Sequence, residues 1–156
     1  MGTLEIFLLQ LFYSIVVWAL IARWLFAPWL AKLSLHEALF WLVLPHAFRH
    51  IGMTFLVPSL HAGPLAPDFA NPAAYGDLAS SVLAVLILIL LRAKQAWVIW
   101  LVWIFNIVGT LDLVNALSRA DMVPFLGTTW YIPTFFVPLL LVTHFMIFVR
   151  LIRKKS

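Results

Sequence analysis

Cysteine is missing from the chain altogether, and charge is scarce: only 10% of the 156 residues are Asp, Glu, Lys or Arg. The lack of thiols excludes disulfides, thiolate metal centres and cysteine nucleophiles, and leaves the redox compartment unmarked. The lack of charge excludes an ordinary water-soluble fold, in which about a quarter of residues are charged. A glycine-rich phosphate loop, a serine elbow and an H-E-x-x-H pair are also missing, so the corresponding nucleotide, hydrolase and zinc-protease chemistries are not expected. What is present is apolar: 65% of residues are hydrophobic and the mean hydropathy is +1.06. A chain of this size cannot hide that much apolar surface from water, so the solvent for most of it is lipid. The formal charge of +4 does not point to nucleic acid, because most basic residues sit beside apolar runs, where topology signals belong.

A helical crossing takes about 20 mostly apolar residues. Five stretches qualify, residues 4–26, 35–57, 72–91, 96–117 and 132–152. The expected fold class is therefore all-α, a polytopic membrane protein with a five transmembrane helix bundle, and residues 1–156 form a single transmembrane domain. Long solid apolar runs do not alternate with period two as barrel strands do. The first run carries Glu5 where a signal peptide has basic residues, and it is too long for a signal h-region, so it reads as a retained span. Ser34 and Glu37 form an S-x-x-E capping box that opens the second helix. Pro58 closes that helix, and Asn71–Pro72 reads as N-cap and N1 of the third.

With five crossings, Arg23, Lys32, Arg92, Lys94, Arg150, Arg153, Lys154 and Lys155 fall on one side, and the other side carries only Arg119. The positive-inside rule then puts the N-terminus outside and the C-terminus in the cytoplasm, in a cell (inner) membrane of bacterial type. Trp24, Trp29, Trp41, Trp97 and Trp100 fall near one interface and Tyr75, Trp130 and Tyr131 near the other, as an anchoring aromatic belt.

Ionisable residues at membrane depth cost roughly 2.5–3.5 kcal/mol on insertion scales and mark bundle interiors or wet cavities. His46, Arg49 and His50 lie within one short stretch of the second span, directly after Pro45. At α-helical spacing His46, Arg49, His50 and Met53 form one stripe. The other spans bring Asp77, Asn106, Asp112 and His144 to similar depth, with Ser80, Ser81, Thr110, Asn115 and Thr143 alongside. The expectation is a ligand-binding pocket in the outer half built from His46, Arg49, His50, Asp77, Asn106, Asp112 and His144. The connection from Pro58 to Asn71 would be its lid.

Such a pocket suits binding or translocation of a small polar or anionic solute, or of protons. Histidine titrates near neutral pH, and Arg49 offers a fork for carboxylate or phosphate. A second use is a membrane-embedded enzyme that acts on a lipophilic substrate by His/Asp acid–base chemistry. In arrangement alone, a five-helix bundle with polar groups on several spans resembles the emopamil-binding sterol isomerase family. That family places acids on its second and third helices, whereas the second helix here has His46 and His50 in its core. A third use is a metal ion on His46 and His50, four residues apart, or haem between His46 and His144, although no cofactor is required by the sequence. A fourth is a purely structural ion pair of Arg49 with Asp77 or Asp112 that fixes helix packing. Expected partners are membrane lipids and a small polar or lipophilic ligand, with homo-oligomers compatible with so apolar a surface.

Overall fold

The computed structural model describes residues 1–153, all helix and connections with no strand among the described residues. Lys154 and Lys155, part of the topology argument, lie outside the described residues. Four helices are long and apolar enough to cross a membrane: α1 (Thr3–Leu30), α3 (Pro67–Arg92), α4 (Val98–Leu117) and α5 (Gly127–Arg153). Between α1 and α3 lies a composite rod, α2, with an α-helical part Leu35–Val43 and a 3₁₀ part Leu44–Leu56.

The 3₁₀ part is the main departure from expectation. A 3₁₀ helix has three residues per turn, and runs beyond three or four residues are uncommon. Here thirteen residues adopt it, starting beside Pro45, whose ring removes one backbone donor. The period of three decides which side chains face inward. His46, Arg49, Gly52 and Phe55 are buried in one line, whereas His50 is exposed. The α-periodic stripe that joins His50 to His46 and Arg49 does not form, because four residues in a 3₁₀ helix turn about 120° past alignment.

Helix starts follow local chemistry. Ser34 Oγ accepts from the Glu37 amide, and Glu37 Oε2 accepts from the Ser34 amide at 3.0 Å, so the capping box forms as expected. α3 starts at Pro67, five residues earlier than Asn71–Pro72 suggests, with Pro67 in the first turn, where a missing N–H costs nothing. Both α1 and α5 contain one π-helical turn, Ala22–Phe26 before Pro28 and Ile132–Phe136 around Pro133. Prolines commonly force such local re-winding.

Two large apolar clusters, with a smaller one of Leu113, Val137 and Leu140 between α4 and α5, hold the bundle. One gathers Leu39, Val43, Ile87, Val102, Phe105 and Ile147 towards the end where Arg23, Lys32, Arg92, Lys94, Arg150 and Arg153 lie, hereafter the basic end. The other gathers Phe7, Phe55, Phe69, Ala74, Met122 and Leu126 towards the opposite end. At the basic end Arg150 donates to the Leu30 and Leu33 carbonyls at 2.7 and 3.1 Å, which ties α5 to the close of α1. α1 is the peripheral helix: only Phe7, Ala22 and Leu30 are buried along it, and its remaining apolar face is open. Apart from Thr129 and Thr134 at the start of α5, the buried polar residues occupy the layer between the two large clusters on α2, α3, α4 and α5.

Candidate functional site

Arg49 is the hub of that layer. Its side chain has no exposed surface, which in an apolar interior demands charge partners and a filled set of donors. Nε and Nη2 both reach Asp77 Oδ1 at 2.7 Å, and Nη2 reaches Asp112 Oδ2 at 2.5 Å. Nη1 points at the Gly109 carbonyl, 3.5 Å away. Three rods are thereby pinned by one guanidinium: α2, α3 and α4. Charge-assisted bonds of this kind are roughly twice as strong as neutral ones, and the planar fork suits two carboxylates.

Glycines make the approach possible. A Cβ on Gly52 would collide with the Asp77 carboxylate, and one on Gly76 would stand 2.9 Å from Asp112 Oδ1. Neither glycine was among the expected site residues. The available signal was a glycine within one turn of an ionisable residue at membrane depth, Gly52 after Arg49 and Gly76 before Asp77, a mark of close backbone approach. Ser81 adds a further tie, donating from Oγ to the Ala47 carbonyl at 2.6 Å.

A second group lies one layer towards the basic end. His46 Nε2 is 3.0 Å from Thr143 Oγ1, and His144 Nδ1 is 2.7 Å from Asn106 Oδ1. Asn106 Nδ2 donates to the His144 carbonyl at 3.1 Å. The two imidazoles touch, with centroids 4.2 Å apart, and Phe105 packs on both. Rings in mutual contact leave no room for a macrocycle between them, so this pair cannot sandwich a haem. His46 and His50 are likewise not a chelating pair, since His50 faces out and Nδ1 is engaged by its own helix at the Ala47 carbonyl, 3.1 Å away. Among the described residues no group of three or more His, Asp or Glu is placed to hold a metal ion. Of the seven expected site residues the structure brings six together, in two adjoining groups, and sets His50 apart.

Next to the triad is a narrow cleft with a cavity volume of about 40 Å³. Its walls are apolar, with Phe7, Phe55, Phe69, Met122, Leu126 and Val137 prominent. Asp77 and Asp112 are its deepest residues on α3 and α4, and Arg119 stands towards its mouth. Both carboxylates keep one oxygen, Asp77 Oδ2 and Asp112 Oδ1, without a hydrogen bond among the described residues. The cover differs from expectation. The Pro58–Asn71 connection packs against residues 125–128 through Ala62 N to the Phe125 carbonyl and Thr128 Oγ1 to the Leu60 carbonyl. The 58–71 connection contributes Phe69 to the cleft, and the rest of the cover comes from the short helix Ala120–Phe125 and Leu126, which present Met122, Val123 and Leu126. Arg119 bonds Asp121 at 3.1 Å and Asp68 at 3.3 Å. The bond from Arg119 holds the exposed Asp121 carboxyl below the usual carboxylate range.

A family profile described as Domain of unknown function (DUF8737) matches residues 6–152. The chain belongs to that family. The DUF8737 match spans the triad, the imidazole pair and the whole cleft, so the site described is a feature of the matched domain and not of an appendage. No curated protein and no solved structure matches the sequence.

Proposed function

We propose that this protein is a multi-pass protein of a bacterial-type inner membrane that binds a small polar solute or protons at the Arg49–Asp77–Asp112 triad. The observation that carries the reading is the placement of two carboxylates, each with an unspent oxygen, at the deep end of an apolar cleft. In this reading α2 makes a fifth crossing. Its 3₁₀ part rises about 2.0 Å per residue against 1.5 Å in an α-helix, so 22 residues reach across the hydrocarbon core with length to spare. The basic end faces the cytoplasm, and the cleft opens to the outer leaflet and the exterior.

Charge decides what enters. Arg49 contributes one positive charge and the two aspartates two negative ones, a surplus of one negative charge. Arg49 points its donors at Asp77 and Asp112, so an anion would have to displace a carboxylate already in place. A proton or a cationic head neutralises the site without displacing anything. The apolar cluster between the polar layer and the basic end seals that half of the bundle, which supports binding over through-passage in this conformation. The apolar walls of the cleft support a second reading: a lipophilic substrate whose polar end meets the two carboxylates, which then act as general acid and base. Lipids are the natural surroundings of the open face of α1, and a second copy of the chain is a further candidate to cover it.

The test is a thermal-shift series on purified protein in lipid nanodiscs, with alkylammonium and alkylcarboxylate solutes of matched length. Ammonium solutes should raise the melting temperature of the wild type and lose that effect in Asp112→Asn. Stabilisation by carboxylates instead, unchanged in Asp112→Asn, would overturn the reading.

A further inference from the structure

The hydrogen-bond partners of the two buried histidines favour one tautomer for each. Asn106 Nδ2 is identified by its bond to the His144 carbonyl, so the atom facing His144 Nδ1 is an amide oxygen, which only accepts. His144 Nδ1 therefore carries the hydrogen. Thr143 Oγ1 has one hydrogen, and the Leu139 and Leu140 carbonyls at 3.1 and 2.9 Å take it. Towards His46 that oxygen acts as acceptor, so His46 Nε2 carries the hydrogen. A neutral imidazole then has a bare lone pair on its other nitrogen. Those nitrogens, His46 Nδ1 and His144 Nε2, are both buried and without a hydrogen-bond partner. Two acceptors in touching rings cannot satisfy one another, and buried unsatisfied acceptors are rare enough to require a reason.

We propose that His46 and His144 form a second site, separate from the cleft, that accepts one proton. The proton passes from solvent hydronium to one of the two lone pairs and leaves water behind. One ring then carries the added charge beside a neutral neighbour, and no other bond changes. The surroundings fit a single added positive charge. Arg49 Nη1 and His144 Nε2 flank the same point on α4, 3.2 and 2.9 Å from where a Cβ on Gly109 would stand. Arg49 alone would repel an imidazolium, but it is joined to Asp77 and Asp112, so one extra proton brings the five ionisable groups to neutrality. Phe105, with its ring 5.2 Å from His46 and 5.5 Å from His144, lies within cation–π reach. The remaining polar neighbours on α4 and α5, Asn106 and Thr143, are neutral. The site does not require the cleft to bind anything.

The experiment is nitrogen-15 NMR of ring-labelled histidine in the full chain in nanodiscs, titrated with acid. At neutral pH His144 should show the Nδ1–H tautomer and His46 the Nε2–H tautomer, each with one bare nitrogen. On acidification both rings should change in the same pH window with uptake of one proton in total. Asp112→Asn, which removes one of the offsetting charges, should move that window to lower pH. Asn106→Ala should release His144 into a mixture of tautomers. The opposite tautomers in the wild type, rings unchanged down to the pH at which the protein unfolds, or uptake of one proton by each ring independently would each overturn the proposal. Failure of the ammonium solutes to bind the cleft would leave it standing.

Discussion

Replacing Arg49 with Met keeps the stem volume and deletes the fork, and its effect can be worked out from the partners left behind. Asp77 Oδ1 loses the Nε donor at 2.7 Å together with the Nη2 ion-pair contact at 2.7 Å, and Asp112 Oδ2 loses the Nη2 donor at 2.5 Å. Removing one member of a buried ion pair typically costs about 3–5 kcal/mol, because the survivors stay desolvated without an opposite charge. Two stranded carboxylates set the expectation at the upper part of that range, limited by protonation of one of them. Such a loss is a large share of a native stability of about 5–15 kcal/mol. The partners should not be equal. Each accepts one hydrogen bond from Arg49, but the Asp77 side chain is 12% exposed and touches a second guanidinium nitrogen, against 29% for Asp112. Asp77→Asn should therefore cost more than Asp112→Asn. The assay is reversible unfolding in mixed micelles with increasing denaturing detergent, run as a double-mutant cycle over Arg49, Asp77 and Asp112. Combining Arg49→Met with both Asp→Asn changes should recover much of the single-mutant loss, since no buried charge is then left alone. A cost under about 1 kcal/mol for Arg49→Met, the size of a typical exposed ion pair, or coupling to only one aspartate, would refute the triad.

Further outcomes follow from the same structure. His50→Ala should change stability by no more than about 0.5 kcal/mol in the same unfolding assay, as exposed changes usually do. His46→Ala, one 3₁₀ turn from Arg49 and buried, should cost at least about 2 kcal/mol; equal effects would contradict the period of three. Gly52→Ala places a methyl against the Asp77 carboxylate, so overpacking should cost about 1–3 kcal/mol and weaken any cleft ligand seen by thermal shift. At the mouth, the depressed Asp121 value means that its pairing with Arg119 favours the folded loop at pH above the ordinary carboxylate range and is lost as pH falls through the depressed value. The protection of amides in residues 119–126, measured against their intrinsic exchange rates, should therefore hold through mild acid, fall below it, and show no such transition in Arg119→Ala.

The sequence shows the apolar rods, the Ser34–Glu37 start and the convergence of Arg49 with Asp77 and Asp112, because each follows from a strong local rule. Twenty apolar residues have few alternatives to a helix, and a charge at membrane depth has few alternatives to an opposite charge. The period of α2 was not legible. Local propensity favours 3.6 residues per turn, and the reward for three comes from other helices: that winding packs Gly52 and Phe55 on α3 while His46 and Arg49 reach partners on α5 and α4. The early start at Pro67 and the roof from Met122, Val123 and Leu126 are likewise decided by packing at the end of the bundle, where the local signals for turn and helix are balanced. The tautomers of His46 and His144 depend on the donors and acceptors of Thr143 and Asn106, which spacing alone does not pair.

A density map of the protein in a lipid bilayer, sharp enough to show side chains, tests the account most directly. It should show the Arg49 guanidinium lying between the Asp77 and Asp112 carboxylates, with a bound molecule or ordered water against their free oxygens in the cleft. Aspartates turned away from Arg49, or a cleft closed by tight apolar packing with nothing against the carboxylates, would contradict it.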